Sequence, residues 1–249
     1  MAINVTPPQA IYERLDRADE CLKNLDAEIR HFLELSKYPF IPQENAEVTL
    51  DAVNYHRNRE IPKRFGILSG EIIHHLRSCL DHIAWQLSSE KYRRDHPTAI
   101  EFPILEKRPT KRDERSRYQK KIKGISSPSA LRLIESLQPY HNTSPLDSKL
   151  FIIHKMDIFD KHREIVVCDS TGQAEIHIRD IPPEIVQKHL AGEDVIADIY
   201  AQVKKCGKVT PQISFEYPPR RPRKPVSATL QDLANAVRDV VEAFAEELS

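Results

Sequence analysis

The chain has 249 residues, long enough for one large domain or two small ones with a sizeable core in either case. Apolar residues make up 40% and charged residues 30%, with only 6 Gly, which excludes a disordered chain and suits a globular helical protein better than a barrel. The 37 Lys and Arg cancel the 37 Asp and Glu, so no net field draws the whole molecule onto nucleic acid or membrane, and any such attraction must be local.

The first residues, Met1 to Pro8, lack the basic segment, apolar core and cleavage site of a signal peptide. No apolar run approaches the ~20 residues that span a bilayer. These features point to a cytoplasmic protein with no membrane association. The four cysteines, Cys21, Cys79, Cys168 and Cys206, form no Cys-x-x-Cys pair, against a zinc ribbon or a thioredoxin-like site, and read as reduced, partly buried thiols.

Thr6 with Pro7 and Gln9 makes a capping box for a first long helix. Along it Ile11, Leu15, Ala18, Leu22, Leu25, Ile29 and Phe32 alternate spacings of four and three, a coiled-coil-like seam that needs a partner helix from the same chain or from a second copy. Pro39 and Pro42 end it, and residues 48–61 carry the β-branched and aromatic pattern of a short hairpin. Pro62 opens a central helix reaching about Ser89, with Ile72, Ile73, Leu76, Leu80, Ile83, Ala84 and Leu87 as a stripe suited to a bundle core.

Between Lys107 and Lys123 nine basic residues face only Asp113 and Glu114. That density reads either as a solvated helix or as a face that contacts nucleic-acid phosphates and releases their counterions. Leu146, Leu150, Ile153, Met156 and Phe159 predict a helix within 145–167, ending near Asp160-Lys161-His162-Arg163. Residues 175–179 and 212–217 alternate like strands around a short helix at 182–192. Residues 218–225 are Pro- and Arg-rich and should be extended. A last helix, capped by Ser227 or Thr229, has Leu230, Leu233, Val237, Val240, Val241, Phe244 and Leu248 on one side.

The expected fold is therefore mainly α: a long-helix bundle with a small accessory β-sheet and a C-terminal docking helix. The expected organisation is a bundle domain over 1–217, a linker over 218–226 and a docked helix over 227–249.

On the central helix, at about 100° per residue, Glu71, His75, Ser78, His82 and Gln86 share an arc of about 80° opposite the apolar stripe. His74, Arg77, Asp81 and Trp85 flank it. Imidazole acts as acid or base near neutral pH and arginine stabilises an anionic transition state, so the face could perform phosphoryl chemistry. The plainer reading is an Arg77–Asp81 surface ion pair with histidines bonded to neighbouring elements.

Arg77-Ser78-Cys79-Leu80-Asp81-His82 resembles the Arg-x4–6-His motif of the HEPN superfamily, small helical proteins of which many are metal-independent ribonucleases. The resemblance implies Arg77 and His82 as catalytic residues, with Ser78 at the polar position after the arginine, in a cleft that two subunits build together. His82 would assist attack of an RNA 2′-hydroxyl on its phosphate, and Arg77 would stabilise the phosphorane. Residues five apart on a helix diverge by about 140°, so convergence needs Arg77 to reach around or a homodimer to form.

A broader resemblance joins Leu76 to Trp85, Leu137 to Tyr140 and Asp160 to Arg163 with blocks shared by a set of uncharacterised bacterial proteins. It implies that Tyr140, Asp160, His162 and Arg163 lie near the central helix. Taken alone, residues 138–140 could be a buried turn and 160–163 a helix C-terminal cap.

Two Glu-x-x-His pairs, Glu28 with His31 and Glu71 with His74, have the ligand spacing of di-iron bundles, with Asp157 and Asp160 as further carboxylates. Glu71 and His74 point away from the apolar stripe, and His-Glu-x-x-His is absent, so neither metal nor cofactor is expected. No phosphate-binding Gly loop and no Gly-x-Ser-x-Gly elbow occurs. Cys79 falls toward the core boundary and reads as a packed thiol rather than a nucleophile. The functional expectation is a HEPN-like protein that binds or cleaves RNA, with Glu71, His75, Ser78 and Asp81 supporting Arg77 and His82. The competing expectation is a non-catalytic helical interaction module.

Overall fold

The structure is a computed structural model that describes residues 9–35, 61–162, 165, 167–175, 181–195, 198, 201–202, 208–215 and 224–248. The hairpin expected at 48–61, the Thr6 cap and nearly all of the 218–225 linker lie outside the described residues. The chain is mainly helical and divides into two compact units, residues 1–26, 66–165 and 227–249 in the first and 27–65 and 166–226 in the second. The sequence reading, with one domain over 1–217, does not anticipate that division, because the residues that rejoin in each unit are far apart in the chain.

Helix α1 spans Gln9–Leu35 and α2 spans Arg64–Leu87. The seam of α1 is buried within the single chain from Ile11 through Ile29, so it is covered without a second copy. On α2 the stripe Ile72, Ile73, Leu76, Leu80, Ile83 and Ala84 is fully buried. After it come α3 (Glu90–Asp95), α4 (Arg112–Ile122), α5 (Pro128–Ser136) and α6 (Lys149–His162). Ser89 caps α3, accepting from Tyr92 N at 3.3 Å, and Ser127 caps α5, accepting from Ala130 N at 3.2 Å, with Pro128 at the first helical position. Short 3₁₀ turns at Pro139–His141 and Pro145–Asp147 join α5 to α6.

The C-terminal helices, α8 (Val226–Ala243) and α9 (Ala245–Leu248), belong to the first unit from Ser227 onward. Leu230, Leu233, Val237, Val241 and Phe244 are buried, Phe244 stands edge-on to Phe102 at 6.2 Å, and Arg238 pairs with Asp19 of α1 at 2.6 Å. The expected docking of this helix is observed.

In the second unit, Arg64 grips Glu28 through two nitrogens at 2.9 Å and Phe65 meets Phe32 edge-on at 5.6 Å. Its sheet has two antiparallel strands, β1 (Val167–Glu175) and β2 (Lys208–Phe215), with α7 (Pro183–Leu190) between them in sequence. Both strands begin earlier than the alternation predicts. The helix expected within 145–167 and ending near Asp160-Lys161-His162-Arg163 is α6, which begins at Lys149 and stops at His162. The register shifts between Ser170 and Gln173, opposite Pro211, which has no N–H to give to a ladder. Gly192, at φ +80°, closes α7, and Glu193 N returns to Lys188 O at 3.0 Å.

Candidate functional site

Helix α2 carries the expected constellation, but it is enclosed on more sides than an amphipathic reading implies. Arg77 is 4% exposed. Its Nη2 donates to the carbonyl of Phe102 at 3.0 Å and meets Asp81 Oδ1 at 2.8 Å, with Glu101 at 3.7 Å. Asp81 Oδ1 in turn accepts from Phe102 N at 2.8 Å. The Arg77–Asp81 pair expected on the surface therefore exists, but it satisfies both backbone groups of Phe102. Burial raises the Asp81 carboxyl above its ordinary range even though the Arg77 charge opposes this.

Gln138 continues the pattern. It is 1% exposed, and its amide donates to Pro103 O and Ile134 O, both at 2.9 Å, and accepts from Leu105 N at 3.0 Å. Three side chains thus hold the extended segment 102–105 where a neighbouring strand would otherwise supply the bonds. The block 137–140 is accordingly a buried structural turn. Its last residue, Tyr140, donates to Glu135 Oε1 at 2.8 Å, and Arg108 lies 5.6 Å above the Tyr140 ring. Burial first and then Glu135 push the Tyr140 phenol up to about 12. Tyr140 is built into this cluster with Glu135, Tyr118 and His141, and no described contact joins it to α2.

The other candidates fall in three places. His75, Ser78 and His82 are half-buried, and Cys79 is fully buried with its Sγ 3.7 Å from Ile11 O of α1. Burial pushes the Cys79 thiol up to about 12, which makes it a packed, unreactive group. Burial lowers the His82 pKa, helped by Arg14, and lowers that of His75, helped by His74, Arg14 and Arg17, so both imidazoles are neutral near pH 7. The Nδ1 atoms of His75 and His154 and the Nη1 of Arg77 are buried without a partner among the described residues. Arg77 and His82 share no described contact.

Toward α6, a Cβ added to Gly70 would fall 2.3 Å from Asp160 Oδ1, so Asp160 lies directly against α2. Burial, then Asp157, raises the Asp160 carboxyl. Asp157, 4% exposed, pairs with Lys161 at 2.6 Å and faces the exposed His74 at 3.7 Å. His162 is exposed and Arg163 lies outside the described residues. Glu71 is exposed. Among the described residues no group of three or more His, Cys, Asp or Glu could hold a metal ion, and Glu28 of the first Glu-x-x-His pair is engaged by Arg64. No helix among the described residues is long and apolar enough to cross a membrane.

Sequence reasoning missed Glu101 and His154, and it took Lys121 only as one cation of the basic region. Lys121 pairs with Glu101 at 2.6 Å beside Arg77, and His154, on α6, is depressed to about 4 by burial and then by the charges of Arg77 and Lys121. His154 lies 77 positions from Arg77 in the chain, and no spacing signal links them.

The basic region forms helix α4 and its flanks. Helix α4 buries no residue. Arg117 pairs with Asp113 at 2.9 Å, Arg108 with Glu135 at 3.4 Å and Lys121 with Glu101. Lys107, Arg112, Arg115, Lys120 and Lys123 are exposed with no carboxylate partner among the described residues, and Lys111 is exposed beside Glu114. Helix α3 adjoins α4, since Tyr92 donates to Lys120 O at 2.9 Å, and it adds Lys91, Arg93 and Arg94. The chain matches no family model, no curated protein and no solved structure.

Proposed function

We propose that this chain is a HEPN-like RNA-binding protein whose phosphate contacts come from the α3–α4 face. One observation carries the reading: a helix with no buried residue presents several cations that have no carboxylate partner among the described residues, in a molecule of zero net charge. Such charge is costly to concentrate and gains free energy when a polyanion releases its counterions. Tyr92 and Tyr118 stand among the cations as stacking candidates.

The test is anisotropy of a labelled single-stranded RNA titrated with the full chain at several salt concentrations. Binding should weaken steeply with salt, and Arg112→Glu with Arg115→Glu and Lys120→Glu should remove about 2 from the logarithmic salt slope, at about 0.7 per contact in single strands. Binding that ignores both salt and these substitutions would overturn the reading.

The burial of Arg77 favours a second reading, binding without cleavage. Its Nη2 is committed to Phe102 and Asp81 and its Nη1 is buried, so swinging the guanidinium out to a phosphate would break those bonds. His82, neutral near pH 7, would be the base in the cleaving alternative. Incubation of end-labelled RNA in excess EDTA decides between them. 2′,3′-Cyclic phosphate ends made by wild type and lost in His82→Ala support cleavage, and intact RNA supports binding alone.

A further inference from the structure

Helix α2 has a second cationic neighbour, Arg14 of α1, on the side turned away from Arg77. The Sγ of Cys79 lies 3.7 Å from the Ile11 carbonyl, which fixes that point of α1 against α2. Arg14 follows Ile11 by one helical turn, about 60° around the axis, on the flank that also carries Cys21. The opposite flank is taken, since Asp19 there pairs with Arg238 of α8 at 2.6 Å. Further along α1, Arg17 and Cys21 meet the charge of Glu71, a little over two turns before Cys79 on α2, so the two helices run antiparallel here. Arg14 thus lies opposite the stretch 75–82, and its charge acts on His75, Cys79 and His82 alike.

The side chains gathered at this edge are polar and unanswered. Arg14, His75, Ser78 and His82 are each half-buried and have no hydrogen-bond or ion-pair partner among the described residues. The Nδ1 of His75 is wholly buried, and a buried ring nitrogen without a partner is costly. Arg17 differs, because Glu20 holds it at 3.1 Å. Carboxylates are placed unevenly: Glu71 acts on His75, whereas His82 is shifted by burial and Arg14 alone. Asp81, next in sequence to His82, turns its carboxylate to Phe102 N. The end of the edge at Ser78 and His82 is therefore where an anion meets least repulsion. A guanidinium fork matches two oxygens of a phosphate, and a hydroxyl and a neutral imidazole each add one donor without adding charge.

We infer that the edge between α1 and α2 binds a phosphate group, held by the Arg14 guanidinium with the Ser78 hydroxyl and a ring N–H of His82. In this site Arg14, and not the buried Arg77, supplies the cation. The site is separate from the α4 face and does not depend on that face binding RNA.

The experiment follows imidazole and backbone amide NMR signals of the full chain during titration with inorganic phosphate, at ionic strength held constant with sodium chloride. A second titration uses a short single-stranded RNA and the triple variant Arg112→Glu, Arg115→Glu, Lys120→Glu, so that the edge is read without the α4 cations. Saturable shifts at the His82 ring and the Ser78 amide are expected with at least one probe. Free phosphate that saturates them marks a small-ligand site, and RNA alone marks a nucleic-acid phosphate. Arg14→Gln should weaken the binding about tenfold or more and Arg14→Lys less, with the unshifted remainder of the spectrum showing that both variants are folded. The inference is overturned if neither probe gives saturable shifts at His82 and Ser78, or if Arg14→Gln binds as tightly as the unsubstituted chain. It is overturned equally if the shifts with inorganic phosphate vanish in the triple variant.

Discussion

Arg77 and Phe102 are 25 positions apart, yet the guanidinium of one donates to the carbonyl of the other at 3.0 Å, and the partner of that guanidinium, Asp81, accepts from the same residue's N–H at 2.8 Å. The charged pair thus does the work of a β-strand for one residue of extended chain. Removing either member leaves a buried group without compensation.

Arg77→Ala should therefore destabilise the protein, by less than the ~3–5 kcal/mol usual when one partner of a fully buried pair is deleted, because the Asp81 side chain is 34% exposed. Arg77→Met combined with Asp81→Asn should recover part of the loss, because the stranded carboxylate is gone while an acceptor for Phe102 N remains. Urea unfolding curves of the three proteins test this. Coincident midpoints for wild type and Arg77→Ala would show that the pair is peripheral. Loss of RNA cleavage in an Arg77 variant carries weight only beside such a curve, and His82→Ala is the cleaner probe.

Gln138→Leu should cost about 2–4 kcal/mol, since it strands Pro103 O and Leu105 N in the interior at about 1–3 kcal/mol for each unsatisfied group, less some gain in apolar burial. Gln138→Glu should cost at least as much at neutral pH, because it keeps the acceptor for Leu105 N but buries a carboxylate against the Pro103 and Ile134 carbonyls. If both variants unfold with the wild type, water replaces the amide without penalty.

The glycines of α2 permit close approach. A Cβ on Gly66 would meet the Ile165 carbonyl at 2.2 Å, and one on Gly70 would meet the Asp160 carboxylate. Alanine gains about 1 kcal/mol of helix propensity over glycine, so any net destabilisation measures the clash. Gly66→Ala should destabilise, because a backbone carbonyl cannot swing aside. Gly70→Ala should destabilise in the wild type and become neutral or stabilising in an Asp160→Ala background. Additive effects in that double-mutant cycle would refute the contact.

Acid should destabilise the fold through His154. Its imidazole is held near 4 when folded, against an ordinary value of about 6.5 when unfolded, so between these values the unfolded chain binds the extra proton. The contribution of His154 is constant above about pH 6.5, falls as pH drops toward 4 and levels off below. The raised carboxyls of Asp81 and Asp160 act in the opposite sense at the acid end, so the comparison must be with His154→Gln. Across pH 7 to 4.5 the wild type should lose more stability than this variant. Parallel curves would mean that His154 is free to protonate in place.

Long apolar periods were legible in the sequence, and the interruptions were not. The seams of α1, α2 and α8 repeat over four or more turns, so their burial follows from spacing alone. Arg77 lay one step from a polar arc, and its burial depends on the non-periodic segment 102–105, which has no signature of its own. His75 and His82 fall opposite the apolar stripe by spacing, which does not say which element covers them, whereas in the fold α1 reaches this side of α2 through Ile11 and Arg14. The strands were placed too late because β1, rich in Ser, Thr, Gln and Gly, lacks the alternation that marks a half-buried sheet.

Helix α4 buries no residue fully. It is tethered at its edges by Lys121 to Glu101, by Tyr118 to Glu135 and by Tyr92 to the Lys120 carbonyl, and at its start Glu114 accepts from Thr110 N and Lys111 N. A helix held this way can open without disturbing the interior, so its amides should exchange with deuterium long before those of α2. Its rigidity is then set by whatever lies against it, and a bound polyanion would register first as slowed exchange along one turn after another of this helix.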